Sequence, residues 1–189
     1  MKLLLASSSP RRLELLARLG VTPARVVSPY IDETPQKAEL PRDYVIRMAQ
    51  EKAAAVARET GEILLAGDTT VAVGRRILGQ AVDAMEQRKF LELISGRRHH
   101  VLSAVCVIAA DGTTRTKLSD NIVKFKRFHP DEIDTYIRSG EGEGKAGGYA
   151  IQGMAEAYVT WMSGSYSGVM GLPLYETRNL LLSAGYPLG

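Results

Sequence analysis

The feature that most constrains this chain is a short apolar run joined to a helix start by three serines. Lys2-Leu3-Leu4-Leu5 leads directly into Ala6-Ser7-Ser8-Ser9-Pro10-Arg11-Arg12. The leucine run reads as a buried strand. Leu13, Leu15, Leu16 and Leu19 then recur at helical spacing, with Ser9 as N-cap and Pro10 pre-set for the first helical position. Three hydroxyls and two guanidiniums therefore gather where a strand gives way to a helix N-terminus. Free backbone N–H groups and the helix dipole favour anions there, and the planar forks of Arg11 and Arg12 suit phosphate. The plainer alternative is a capped helix with two solvated arginines.

A second focus is Ile63-Leu64-Leu65-Ala66-Gly67-Asp68-Thr69-Thr70. The apolar residues predict another buried strand with Asp68 at its C-terminal end, the side of an open α/β sheet where ligands gather. Val71 to Val73 and Ile77-Leu78 flank Gly74-Arg75-Arg76 as a hairpin. Ile31-Asp32-Glu33-Thr34-Pro35 places two acids on extended chain or loop, because Pro35 keeps the residue before it out of the helical region. That loop is either a solvated acidic turn or a source of carboxylates. Residues 41–58 predict a helix whose apolar stripe of Val45, Met48, Ala49 and Val56 includes position 52. Lys52 on that stripe must snorkel to solvent or meet an anion, since burying it unpaired is costly.

Further along, Asp83 and Glu86 form a capping-box variant opening a helix that stops at Gly96. Val101 to Ala109 and Thr114 to Phe128 predict two strands joined at Asp111-Gly112. A helix from Pro130 ends at Gly140, a strand spans residues 157–162, and Leu172-Pro173 opens a last helix closed by Gly185. Between them, residues 140–153 hold six glycines. They mark close backbone approach or special dihedrals, or else a flexible linker. Tyr149 and Ile151 argue against a mere linker. Lys145 lacks the spacer and the following Ser/Thr of a Walker loop.

The chain has 189 residues and a net charge of +3 without a Lys/Arg block, so a broad nucleic-acid surface is not expected. No run approaches a membrane span, and no signal segment is expected. Cys106, the single cysteine, excludes a disulfide framework and suits a reducing compartment. His99, His100 and His129 show no metal-ligand spacing with it. What remains is an anion cradle with further cations at Lys52 and Lys145, facing two carboxylates, Glu33 and Asp68. Hard oxygens of that kind suit Mg²⁺ shared with phosphates. A water activated by metal or carboxylate would then attack a phosphoryl group.

Taken together, Ala6-Ser7-Ser8-Ser9-Pro10-Arg11-Arg12, Asp32-Glu33, Gln50-Glu51-Lys52-Ala53, Gly67-Asp68-Thr69, Lys145-Ala146-Gly147-Gly148-Tyr149-Ala150-Ile151-Gln152-Gly153 and Val169-Met170-Gly171-Leu172-Pro173 resemble the Maf family in order and across nearly the whole chain. The resemblance implies one α/β domain over residues 1–189. Its fold would be a mixed, curved sheet flanked by helices, in two lobes with a central cleft, similar to the inosine triphosphatase fold. It implies a metal-dependent (Mg²⁺ or Mn²⁺) nucleoside triphosphate pyrophosphatase that cuts between the α- and β-phosphates. Such enzymes are usually cytoplasmic and often homodimeric.

Carried over by the motifs, Asp68 resembles the catalytic acid–base residue and Glu33 its partner for metal or water. Ser8, Arg11, Arg12 and Lys52 resemble phosphate contacts, and Arg11, Thr69 and Gln152 fall where the family selects its substrate. The Tyr-Ala-Ile-Gln-Gly run resembles the branch acting on dTTP and UTP, and a Gln amide can both donate to and accept from a thymine or uracil edge. Gly79-Gln80-Ala81 stands where the family usually shows Gly-Lys-Pro, leaving Arg75, Arg76 or Arg97 to supply the missing cation. That departure keeps a second expectation open, a nucleotide-binding regulator of cell division with weak or no catalysis.

Overall fold

The computed structural model describes residues 1–188. The leucine run forms β1 (Lys2–Ala6), followed by α1 (Pro10–Arg18), β2 (Arg25–Val27), α2 (Pro41–Ala54), β3 (Glu62–Val73) and β4 (Arg76–Leu78). Then come α3 (Ala84–Ile94), β5 (Arg98–Ile108), β6 (Thr114–Phe125), α4 (Pro130–Arg138), a 3₁₀ turn (Met154–Tyr158), β7 (Val159–Ser163), α5 (Tyr166–Met170) and α6 (Leu174–Ser183). The strands make one mixed sheet of seven in the order β2-β1-β3-β5-β6-β7, with β4 pairing β3 alone. β1 is parallel to both β2 and β3, and the remaining pairs are antiparallel. The expected α/β class with a mixed sheet flanked by helices is therefore present.

Both faces of β1 are covered, which is why its sequence is apolar without alternation. Leu3 and Leu5 join a core with Leu15 and Leu16 of α1, Phe90 and Ile94 of α3, Tyr136 of α4 and Leu180 of α6. Leu4 and Ala6 face the other way, into a smaller core with Val45, Ala49 and Ala53 of α2. One helix thus covers one face and several cover the other. Among the described residues no helix is long and apolar enough to cross a membrane.

Several boundaries differ from those the sequence predicts. The second helix stops at Ala54 rather than residue 58. The chain leaves the helix so that Val56 enters the smaller core and Arg58 can donate to the carbonyls of Glu62 and Ala109. Asp68 does not end a strand. Residues 64–72 stay in register with β5, so β3 is one strand and Asp68 lies in its middle. Strand β6 ends at Phe125, and the backbone N–H of Phe128 turns onto the Ser95 hydroxyl. The last strand starts two residues late because Met154–Tyr158 is a 3₁₀ turn. Ser9 does hold the N-cap position of α1, yet its hydroxyl makes no cap bond. Instead its backbone N–H donates to Ser7 Oγ, 3.1 Å away.

His99 of β5 is fully buried between Phe125 and Tyr149, and its Nε2 shares a 2.8 Å hydrogen bond with the Tyr149 hydroxyl. Burial pulls its pKa down to about 4, so the folded protein keeps it neutral where an unfolded chain, near 6.5, would protonate it. The stability that depends on this neutral ring is complete above pH 6.5 and is lost as the pH falls towards 4, by about 3 kcal/mol. Urea unfolding followed from pH 8 to pH 4 is expected to show a plateau and then that decline, and His99→Gln should lose the slope.

Candidate active site

Strand β1 ends at Ala6, paired with Ala66, while β3 runs on to Val73. The overhang leaves a crevice beyond the carboxyl end of β1, the usual ligand position in such sheets. A cleft of about 650 Å³ opens there, between the β1–α1 junction, α2, the centre of β3, the β4 end and the glycine-rich segment.

One wall is anionic, with a cation at its centre. Lys52 of α2 is 8% exposed, and its ammonium lies 2.7 Å from Asp68 Oδ1 and 2.9 Å from Glu33 Oε2. Asp68 Oδ2 also accepts from the Thr70 hydroxyl at 3.3 Å. The side chain of Asp68 is buried and that of Glu33 is half exposed. Glu33 comes from a segment without regular structure, and α2 holds that segment in place. The Tyr44 hydroxyl donates to the Glu33 carbonyl at 2.9 Å, while Arg47 grips Glu39 with two nitrogens and donates to the Thr34 carbonyl. Burial first, and then the charges of Asp68 and Glu33, push the Tyr44 phenol up to about 12, so it stays a hydrogen-bond donor.

The facing wall is cationic. Arg12 Nε donates to the Gly171 carbonyl at 2.9 Å, and its other nitrogens reach Ser7 Oγ at 3.2 Å and Thr69 Oγ1 at 3.4 Å. Arg11 Nε donates to the Met170 carbonyl at 3.2 Å. Both guanidiniums are thus steered by neutral carbonyls at the C-terminal end of α5 and, among the described residues, are paired with no carboxylate. Desolvation lowers the pKa of each, and for Arg12 the nearby Asp68 works in the opposite sense. Gly67 of β3 keeps room for the neighbouring strand, because a Cβ there would sit 3.0 Å from the Ala104 carbonyl oxygen, with Arg12 Nε in ordinary contact at 3.5 Å. Behind this wall, Ser103 shares a 2.9 Å hydrogen bond with Thr69 Oγ1 and donates to the Gly168 carbonyl at 2.7 Å.

The glycine-rich segment closes the third side. It pairs with the end of the hairpin through a bridge between Gln80 and Ala146, and the Gly147 N–H donates to the carbonyls of Leu78 and Gly79. Gly147 has φ +70°, and a Cβ there would fall 2.9 Å from the Val71 side chain. Close approach to β3, and not linker flexibility, is the reason for glycine here. Lys145 and the exposed Gln152 both line the cleft. Burial, followed by the charge of Arg11, lowers the pKa of Lys145.

The eight residues singled out from the sequence, Ser8, Arg11, Arg12, Glu33, Lys52, Asp68, Thr69 and Gln152, all line this one cleft. Lys52, expected among the phosphate contacts, lines the cleft with its ammonium on two carboxylates. Of the cations considered for the place of Gln80, Arg75, Arg76 and Arg97 do not line the cleft, whereas Lys145 does. Sequence reasoning missed Tyr44, Thr70 and the Met170 and Gly171 carbonyls. A hydroxyl two residues after Asp68 on one strand face was the available signal for Thr70; backbone carbonyls leave none.

A family model described as "Maf-like protein" matches residues 2–184. The chain is 63% identical over 187 residues to a dTTP/UTP pyrophosphatase of Sphingopyxis alaskensis, covering 99% of this chain and 98% of that one. It is 60% identical over 185 residues to a dTTP/UTP pyrophosphatase of Novosphingobium aromaticivorans, covering 97% and 92%. Among solved structures, a HAM1 protein from Coxiella burnetii is similar in fold, with a TM-score of 0.50, 16% identity, and coverage of 97% of this chain and 99% of that one.

Removing one partner of a buried ion pair leaves the other charge uncompensated. Lys52→Met should therefore lower the unfolding free energy by about 3–5 kcal/mol. Adding Asp68→Asn to it should restore much of the loss, as urea titration of the two variants would reveal.

Proposed function

The chain belongs to the Maf family, and we propose that it is a nucleoside triphosphate pyrophosphatase that hydrolyses dTTP and UTP between the α- and β-phosphates. The observation that carries this is the meeting in one cleft of two carboxylates on Lys52 and two guanidiniums that, among the described residues, pair with no carboxylate. The names of the relatives at 60–63% identity support the same substrates.

A triphosphate is a polyanion, so its phosphate chain lies along Arg11, Arg12 and Lys145, with the Ser8 hydroxyl beside it. Asp68, oriented by the Lys52 ammonium and the Thr70 hydroxyl, takes a proton from the attacking water. The oxygen of that water bonds to phosphorus, the bridging P–O bond of the α–β anhydride breaks, and the products are the monophosphate and pyrophosphate. Charge that builds on the departing oxygens is met by the guanidiniums, which the carbonyls of Met170 and Gly171 already hold in place. Gln152 presents an amide that donates and accepts, which suits the O4 and N3–H edge shared by thymine and uracil. Arg11 and Thr69 complete the selecting set.

Glu33 and Asp68 aim hard carboxylate oxygens at one point, the Lys52 ammonium. Both carboxylates also line the cleft, and they are the residues that would hold a divalent cation such as Mg²⁺ or Mn²⁺ beside a bound phosphate; among the described residues no group of three or more His, Cys, Asp or Glu side chains is gathered for one. When bound, such an ion would neutralise phosphate charge and polarise water. Cys106, the single cysteine, is a buried thiol, which supports a reducing, cytoplasmic setting.

Pyrophosphate release from dTTP, UTP, CTP and GTP with Mg²⁺ or Mn²⁺ tests the proposal. Selective turnover of the first two, abolished by EDTA, is the expected result. Asp68→Asn should lower kcat by about 10²–10⁴ while calorimetry still detects dTTP binding. Binding of dTTP without turnover by the wild-type chain would instead favour the regulator, for which the neutral Gln80 in the cleft is the motive.

A further inference from the structure

Gln87 of α3 is 4% exposed and does not line the cleft, so the proposed reaction leaves it without a role. A buried amide is costly unless its hydrogen bonds are met. Its Nε2 donates to the Gly148 carbonyl at 2.9 Å. The glycine-rich segment is wrapped tightly around that amide. A Cβ on Gly142 would fall 2.2 Å from Gln87 Nε2 and 2.1 Å from the Gly148 oxygen, and a Cβ on Gly148 would fall 2.9 Å from Gln87 Cγ. Gly142 is thus closed to a Cβ by the Gly148 backbone and the Gln87 amide together, and Gly148 by its φ of +71° and by the Gln87 side chain.

The next two residues are held as firmly from other directions. The Tyr149 hydroxyl shares its hydrogen bond with His99 of β5, and the Ala150 N–H donates to the Tyr136 hydroxyl of α4 at 2.9 Å. Three successive residues are thus tied to side chains of three separate elements, Gln87, His99 and Tyr136, none of which lines the cleft. Two residues further on stands Gln152, and three before stands Lys145, both facing the cleft. The Gln152 side chain is exposed, so the position of its backbone sets the part of the cleft its amide can reach.

We propose that Gln87 is a positioning residue for nucleotide selection, setting through Gly148 the height at which the glycine-rich segment presents Lys145 and Gln152. The inference rests on the pyrophosphatase reading and deepens it. Asp68, Lys52, Glu33 and Arg12 lie on other elements that make no hydrogen bond to Gln87, so the effect falls on affinity and base preference and spares the chemical step.

Gln87→Met keeps the length of the side chain and removes its donor. It should raise KM for dTTP about tenfold, the scale of one lost buried hydrogen bond, reduce the preference for dTTP over CTP, and keep kcat within about twofold. Tyr136→Phe, which acts on the same segment from α4, should give the same signature, and the two should be non-additive in the double variant. If Gln87→Met does not fold, Tyr136→Phe decides the matter. Unchanged KM and base preference overturn the proposal, whether or not the melting temperature falls, and so does a loss confined to kcat. If the wild-type chain releases no pyrophosphate but binds dTTP, the pyrophosphatase reading fails separately. Calorimetry of the variants then decides the positioning role, about tenfold weaker binding supporting it and equal binding overturning it. A wild-type chain that neither binds nor cleaves any nucleotide overturns both.

Discussion

The structure depends on a single buried ammonium. Lys52 sits within hydrogen-bonding distance of Asp68 and Glu33, which belong to a central strand and to an irregular loop. Without Lys52 the carboxylate of Asp68 would be desolvated beside an apolar core and Glu33 would have no charged partner to draw its loop inward. Without the carboxylates, a lysine on the apolar stripe of α2 would be a buried charge with nothing to offset the cost. The three groups are stable only together, and their meeting fixes α2 and the acidic loop against the middle of β3.

Across the cleft the same problem is solved in another way. Arg11 and Arg12 meet backbone carbonyls at the end of α5 and the hydroxyls of Ser7 and Thr69, and among the described residues neither forms an ion pair. Carbonyls orient a guanidinium without cancelling its charge. The cleft therefore keeps a positive wall whose geometry is already determined before any anion arrives, which lowers the reorganisation that binding or reaction requires. Asn121, fully buried, supports this arrangement from behind by donating to the Val101 carbonyl and accepting from the Ser165 N–H at the start of α5.

Much of this was legible in the sequence for physical reasons that act locally. The unbroken leucines of β1, the Pro10 start of α1 and the Asp83 cap of α3 report short-range preferences, and each appears where it was expected. Lys52 was legible as an anomaly, a charge at a core position that had either to snorkel to solvent or to meet an anion. The errors share one cause. Whether Asp68 ends a strand or lies within one depends on how far β5 pairs with β3, and the end of α2 depends on carbonyls that Arg58 finds at Glu62 and Ala109. Both partners are distant in the chain or set by the turn between elements, so no local pattern reports them.

The sequence by itself determined most of the elements, the apolar faces that must be buried, and the residue types able to handle phosphate, because periodicity, capping and side-chain chemistry are properties of short stretches. Only the tertiary structure decided which of these groups meet. It set Lys52 between Asp68 and Glu33, turned Arg11 and Arg12 onto the carbonyls of residues 170 and 171, and brought Lys145 rather than Arg75, Arg76 or Arg97 to the cleft. The reason is that strand β3 outruns β1, and the register and length of paired strands are decided by contacts between residues far apart in the chain.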